Sequence, residues 1–147
     1  MQVYLAGSIF TPYERAFLDG CAARLRAEGF EVFVPHEQKH LVGVDVTAEA
    51  VFAADAGGVE EADAMLAVLD GPAVDDGTAC EIGLFHGLRQ HDPWRKGVVG
   101  LLTDLRGERR GAFATNLFVR GCIEATGGAV VGSLDDALAI LDSWRTD

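Results

Sequence analysis

The chain has 147 residues, of which 49% are hydrophobic and 24% charged, and its formal net charge at pH 7 is −11. This length suits one domain with one core, over residues 1–147, and the apolar content excludes a disordered chain. The longest clean apolar run, Ala64 to Leu69, has six residues. A membrane-spanning helix needs roughly 20, so we exclude a membrane protein. A surface this acidic repels a phosphate backbone, so we expect no polymeric nucleic acid as partner, whereas a small nucleotide or nucleoside stays open.

Residues 1–4 contain no basic segment and no long apolar segment, so we expect no signal peptide and a cytoplasmic location. The three cysteines, Cys21, Cys80 and Cys122, are too few and too scattered for a disulfide framework or a zinc site. We expect all three to be reduced, buried, small side chains. We expect no metal site.

Strand-like apolar runs alternate with helix-like segments along the chain, which is the pattern of an α/β fold. Thr11, Pro12 and Glu14 predict a helix start with a capping box. Beginning with a strand, the alternating elements are predicted at residues 3–6, 11–29, 30–34, 47–62, 64–69, 78–89, 98–102, 115–126, 129–131 and 133–144. A break of the second helix near Gly57 and Gly58 is left open. The expected architecture is a single-domain open, mostly parallel five-stranded sheet with helices on both faces, of the Rossmann or flavodoxin type.

Three predicted loops leave the carboxyl ends of strands and surround one crevice. They span residues 7–10, 35–40 and 70–81. Ligands of open parallel sheets bind beyond these strand ends, so we expect the functional site there. Gly7 and Ser8 lie in the first loop, but no Gly-x-Gly-x-x-Gly or P-loop pattern surrounds them, which makes a dinucleotide cofactor a weak interpretation.

The third loop carries four carboxylates, Asp70, Asp75, Asp76 and Glu81. Acidic residues at a helix start can simply match the helix dipole, and this interpretation explains Asp75 and Asp76. It explains Glu81 less well, because small and apolar residues flank it. A carboxylate near the positive end of a helix stays ionised at neutral pH, as a nucleophile requires. The residues alone leave both interpretations open, and Cys80 has no base to make it a nucleophile instead.

Four elements carry a resemblance to a known family. The first two are Tyr4-Leu-Ala-Gly-Ser-Ile-Phe10 and the segment 75–83, which follows the pattern Asp-x-Gly-x-x-x-Glu-x-Gly. The other two are Asn116-Leu-Phe118, similar to an Asn-x-Met segment, and Asp55, eight residues before Asp63. With these elements the chain resembles the nucleoside 2-deoxyribosyltransferase family over roughly residues 3–126.

The resemblance implies roles for four catalytic residues. Glu81 falls on the nucleophile that attacks the anomeric carbon of the deoxyribose, and Tyr4 on the tyrosine that hydrogen-bonds and orients it. Asp75 and Asp55 fall on carboxylates that contact the base and assist its protonation as it leaves.

It also implies substrate-binding residues. Phe10 falls on an aromatic that stacks on the base, and Gln38 lies near a base-reading glutamine, across a one-residue gap. Asn116 falls on a residue that binds the 5′-hydroxyl of the sugar in the site of the neighbouring subunit. Phe118 stands where a methionine is common. Gly7, in the turn after the first strand, is expected to contact the substrate.

The implied activity is that of an N-glycosyl (pentosyl) transferase in nucleotide salvage. It exchanges the base of 2′-deoxyribonucleosides through a covalent deoxyribosyl-glutamate intermediate, with retention, with hydrolysis as a side reaction and without a metal or organic cofactor. The expected partners are a deoxyribonucleoside, a free nucleobase and further copies of the chain, in a homo-oligomer whose sites are completed across subunits.

Two alternatives stay open. The first is a 2′-deoxynucleoside 5′-monophosphate N-glycosidase, which needs serines and an arginine to hold the phosphate. Asn116 disfavours this alternative, whereas Arg120 nearby keeps it open. The second is a non-catalytic nucleotide-binding module, which the full set of carboxylates argues against.

Overall fold

A computed structural model describes residues 1–38, 46–105 and 115–145 of the chain. Of the predicted loop 35–40, the last two residues therefore lie outside the described part. Strands and helices alternate along the chain as β1 (Gln2–Ala6), α1 (Pro12–Ala27), β2 (Glu31–Phe33), a 3-10 turn (Pro35–Glu37), α2 (Ala48–Glu61), β3 (Ala64–Val68), α3 (Asp76–His91), β4 (Val98–Leu101), α4 (Leu117–Ala125), β5 (Val130–Val131) and α5 (Leu134–Arg145).

The five strands form one sheet in the order β2-β1-β3-β4-β5, and every neighbouring pair is parallel. This confirms the predicted five-stranded α/β architecture. The direction of winding reverses between β1 and β3, so the chain leaves these two strands toward opposite faces of the sheet. A crevice opens at this point, beyond the carboxyl ends of the strands, and it is the place where such sheets bind ligands.

Successive side chains of a strand point to opposite faces of the sheet, and β1 shows the consequence. Val3 and Leu5 belong to the core on the face that carries α1 and α5. Tyr4 and Ala6 belong to the core on the other face, which carries α2, α3 and α4. The register of β1 therefore directs Tyr4 toward the helices that follow β2 and β3.

Local sequence signals set the helix boundaries. Thr11 caps α1 by accepting a hydrogen bond from the Glu14 backbone, while the Glu14 carboxylate accepts one from the Thr11 backbone at 2.7 Å. Helix α2 continues unbroken through Gly57 and Gly58, which settles the question left open by the sequence. Helix α3 begins at Asp76, two residues before the predicted start, because Asp75 caps it.

The cysteine prediction is only partly right. Cys21 is buried as expected, but Cys122 is only partly buried and Cys80 is exposed. Cys80 is exposed because α3 packs its Ile82 and Phe85 against the sheet. In the described part of the chain, no helix combines the length and the apolar character that crossing a membrane requires.

Candidate active site

A tyrosine and a glutamate meet at the crevice between β1 and β3. The Tyr4 hydroxyl donates a hydrogen bond to Glu81 Oε1 at 2.7 Å, across 77 residues of sequence. Tyr4 is fully buried, and Glu81 lies in the second turn of α3. The sheet brings the two residues together, since β1 supplies Tyr4 and β3 leads into the helix that carries Glu81.

The surroundings of Glu81 favour its protonated form more than water does for a free glutamate. Burial is the main cause and, with the nearby charges of Asp55 and Asp75, raises the pKa of Glu81 to about 7, although the hydrogen bond from Tyr4 lowers it. Burial, the charge of Glu81 and its hydrogen bond, and the charge of Asp55 raise the pKa of Tyr4 far above its ordinary value, so the phenol keeps its proton and donates. The helix start alone therefore does not keep Glu81 fully ionised at neutral pH, contrary to the expectation from sequence.

This raised pKa predicts that Glu81 lowers the stability of the protein above neutral pH. The folded state holds the Glu81 proton up to about pH 7, whereas the ordinary value is 4.5. The unfolding free energy therefore falls as pH rises from 4.5 to 7, by on the order of 3 kcal/mol for this group.

Glu81→Gln removes the titration and should stabilise the protein more at pH 8 than at pH 5, by about 2–3 kcal/mol. Urea denaturation of both proteins at the two pH values measures the difference. An equal effect of the substitution at both pH values would contradict the raised pKa.

Asp75 has a structural role and faces the site as well. Its carboxylate accepts hydrogen bonds from the Thr78 backbone at 3.1 Å and from the Thr78 hydroxyl at 3.3 Å, which caps α3. Thr78 is buried, so this cap is partly shielded from solvent. The cap fixes Asp75 beside Glu81, close enough that its charge raises the pKa of Glu81. The side chain that caps α3 therefore also lines the crevice.

Two cavities meet at Glu81 and Asp55. The first, of about 330 Å³, lies at the crevice, and Gly7, Phe10 and Asp75 are among the residues that line it. The second, of about 490 Å³, is a mostly apolar groove between α2 and α3. Asp55 and Glu81 line both, so these two carboxylates stand at the junction of the cavities.

The loop after β1 forms one wall of the first cavity. A Cβ atom at Gly7 would lie 2.8 Å from a methyl carbon of Leu18 and 3.2 Å from Cβ of Val68, so a larger residue would require the Leu18 side chain to shift. Phe10 lines the cavity, yet its side chain is 76% exposed. Its ring is therefore available for stacking on a planar ligand.

Three predicted substrate-binding residues do not line either cavity. Gln38 donates a hydrogen bond from its amide to the Val34 carbonyl at 3.2 Å. Asn116 caps α4, because its Oδ1 accepts hydrogen bonds from the backbone of Phe118 and Val119. Phe118 is 80% exposed. Within one chain, the structure thus brings together Tyr4, Asp55, Asp75 and Glu81 with Gly7 and Phe10, and leaves these three apart.

Two residues of the site, Thr78 and Phe33, are not among those predicted from the sequence. Thr78 could have been found, since an Asp followed three residues later by a Thr at a helix start is a capping pattern. Phe33 could not. Its ring stacks on Tyr4 with centroids 5.3 Å apart and planes 13° from parallel, a contact that exists only because β2 pairs with β1 in this register.

Cys80 lines the groove between α2 and α3 together with Glu81, but it is not among the residues that line the first cavity. We predict that Cys80→Ala retains activity within about threefold, because the exposed thiol does not line the first cavity, where Phe10 and Asp75 lie beside Glu81. Steady-state kinetics of the purified variant measures this, and a hundredfold loss would contradict it.

The sheet order and the crevice between β1 and β3 place the chain among the flavodoxin-like α/β proteins. The family model described as nucleoside 2-deoxyribosyltransferase matches residues 3–118. The chain belongs to this family, which confirms the resemblance seen in its motifs. The family consists of enzymes of the glycosyltransferase or N-glycosidase type.

Solved structures share the fold over nearly the whole chain. A conserved protein from Enterococcus faecalis V583 is 24% identical, with a TM-score of 0.81 over 97% of this chain and 98% of that one. A 2-deoxyribosyltransferase from Bacillus psychrosaccharolyticus is 23% identical, with 0.68 over 93% and 90%. A CMP N-glycosidase from Clostridium botulinum is 19% identical, with 0.62 over 97% and 98%. A comparison with curated proteins found no match.

Proposed function

We propose that this protein is a nucleoside 2-deoxyribosyltransferase that exchanges the base of 2′-deoxyribonucleosides, with Glu81 as the nucleophile. One observation carries the proposal. The carboxylate of Glu81 is partly buried, is held by the Tyr4 hydroxyl at 2.7 Å, and stands where two cavities meet beside Asp55 and Asp75. Retaining cleavage of a glycosidic bond needs this combination of a positioned nucleophile and further carboxylates on the leaving-group side.

In the first step, an oxygen of Glu81 attacks the anomeric carbon of the deoxyribose. The N-glycosidic bond breaks, its electron pair passes to the base nitrogen, and a proton delivered through Asp55 or Asp75 makes the free base. In the second step, a nitrogen of another base attacks the same carbon, releases Glu81 and gives its proton back to the carboxylates. Two inversions give net retention, and attack by water in the second step gives hydrolysis.

The environment of Glu81 suits this chemistry. The transition state of each step carries positive charge on the sugar ring, and the carboxylates of Asp55, Asp75 and Glu81 stabilise it in a largely buried site. Tyr4 holds one oxygen of Glu81, and we assign the attack to the other. Phe10, exposed at the rim of the first cavity, supplies a ring on which the base stacks.

The charge of the site favours an uncharged sugar over a sugar phosphate. Asp55, Asp75, Asp76 and Glu81 all line the first cavity, and none of the described residues in its lining is a lysine, an arginine or a histidine. A 5′-phosphate placed there would be repelled. Arg120, the residue that kept the monophosphate glycosidase open, is paired with Glu124 at 2.7 Å on α4. The nucleoside is therefore the substrate that we propose.

We further propose that the active form is a homo-oligomer, in which Asn116 and Phe118 of one subunit complete the site of the next. Within their own chain both residues lie away from the cavities, and Phe118 presents an exposed aromatic ring. Asn116 uses only its Oδ1 in the helix cap, so its amide nitrogen can donate to a sugar hydroxyl.

The proposal is tested by incubating the protein with thymidine and free adenine, and separately with deoxyinosine and free cytosine. Chromatography should show the new nucleoside together with the released base, which exceeds the new nucleoside only by the amount that is hydrolysed. The matching 5′-monophosphates serve as controls and should react much more slowly. Release of base from the monophosphates alone, without exchange, would replace the transferase with the N-glycosidase.

A further inference from the structure

A chain of contacts leads from Glu81 along one face of the sheet to Gly58, in the C-terminal half of α2. Tyr4 donates to Glu81, and the ring of Tyr4 stacks on the ring of Phe33. Phe33 is the direct partner of Tyr4 in the parallel register of β1 and β2, so both side chains point to the face that carries α2. There the ring of Phe33 meets Gly58, which is buried.

Gly58 leaves the space that the ring of Phe33 occupies. A Cβ atom at this position would lie 2.6 Å from Cε1 and 2.8 Å from Cδ1 and Cζ of Phe33. The glycine is not needed for backbone freedom, because its φ is not positive. Gly57, its neighbour in the same helix, has nothing within 4 Å of its own Cβ position. Glycine weakens a helix interior relative to alanine. The contact with Phe33 explains why a glycine stands at position 58, whereas no such contact explains the glycine at position 57.

We propose that Phe33 and Gly58 are positioning residues, which hold the ring of Tyr4 so that its hydroxyl stays on Glu81. This rests on the proposed function, since it is the nucleophile of that reaction that they position. The Tyr4 ring is rigid and fully buried, so a displaced Phe33 moves the hydroxyl with it. Hydrogen bonds weaken steeply as distance and angle depart from the optimum, so a small displacement is enough.

The direction in which the pKa of Glu81 shifts distinguishes a displaced Tyr4 from other structural changes near Glu81. The groups whose charge or hydrogen bond acts on Glu81 are Tyr4 from β1, Asp55 from α2 and Asp75 from α3. Loss of the Tyr4 hydrogen bond raises the pKa of Glu81. A movement of α2 that took Asp55 away, or an opening that let water reach Glu81, would lower it.

The test compares Gly58→Ala with its matched control Gly57→Ala, in the whole protein. Glutamate carboxyl carbons are labelled with ¹³C and titrated by NMR, and the Glu81 signal is identified by its absence in Glu81→Gln. We expect Gly58→Ala to raise the Glu81 pKa by on the order of half a pH unit, in the same direction as Tyr4→Phe, while Gly57→Ala leaves it unchanged. An unchanged or lowered value in Gly58→Ala would overturn the proposal.

If Gly58→Ala does not fold, Phe33→Leu tests whether Phe33 positions Tyr4, because this substitution removes the ring without adding an atom to α2. It should also raise the Glu81 pKa, and an unchanged value would overturn the role of Phe33. In the Phe33→Leu background, Gly58→Ala should add no further shift, since the ring that it would strike is gone. An additive shift would show that Gly58 acts by another route.

Activity gives an independent readout. Below neutral pH, kcat/KM for base exchange should fall as Glu81 takes up its proton, and Gly58→Ala should move this acid limb to higher pH. Gly57→Ala should keep the original profile. A wild-type protein that exchanges no base would refute the proposed function, while the NMR titration would still decide whether Phe33 and Gly58 position Tyr4.

Discussion

Glu81→Gln is expected to lower the rate of base exchange by on the order of 10³-fold or more, because an amide cannot attack the anomeric carbon. The fold should be retained, since the amide oxygen of glutamine can still accept the hydrogen bond from Tyr4. Chromatographic exchange assays measure the loss. Mass spectrometry of the wild type mixed with a deoxyribonucleoside should show a deoxyribosyl adduct that the variant lacks.

Glu60→Gln is a suitable control for this experiment. Glu60 is an exposed glutamate of α2 that lines neither cavity around Glu81, so the same chemical change there should leave exchange unaltered. Near-normal turnover by Glu81→Gln would show that the nucleophile is another group.

If the site is shared between subunits, two variants that are each inactive or weakened should regain exchange activity when their chains form mixed dimers. Asn116→Ser keeps a good N-cap for α4 but is too short to reach a substrate, so it should lower exchange by about tenfold to a hundredfold. When Asn116→Ser and Glu81→Gln chains are unfolded and refolded together, one site of each mixed dimer contains both native residues. Random pairing makes half of the dimers mixed, so activity should recover to roughly a quarter of the wild-type value.

The same two variants refolded separately and then mixed give the control, since without subunit exchange the activities should only add. Mass spectrometry of the intact oligomers shows whether mixed species form. Activity that stays at this sum, although mixed oligomers are present, would place the whole site within one chain.

The elements of the fold could be predicted because their signals are local. The capping pattern of Thr11 and Glu14 marks the start of α1, and the apolar run 64–69 predicts the central strand β3. The five strands and five helices follow from such signals. Helix α2 illustrates the limit, because the pair Gly57-Gly58 leaves a break open, whereas in the structure the helix is continuous and Phe33 packs over Gly58.

The residues of the candidate site that belong to a motif could be predicted from the sequence. The properties that depend on spatial arrangement could not. The positions of Tyr4 and Glu81 follow from motifs, and the structure brings them into contact. The pKa of Glu81 depends on burial and on Asp55 from another helix, which no local pattern encodes. The exposure of Cys80 likewise depends on which face of α3 meets the sheet.

The placement of Tyr4 on β1 has a consequence for the motions of the protein. β1 is paired on both sides, and Tyr4 is fully buried, so its amide should exchange with solvent deuterium only when most of the sheet opens. Phe10, four residues beyond the strand, is largely exposed on a loop that can open locally at little cost. We therefore expect Tyr4, which orients the proposed nucleophile, to open more slowly than Phe10, the ring that we propose to stack on the base. A substrate can therefore enter and leave by local fluctuation while the reactive pair keeps its geometry.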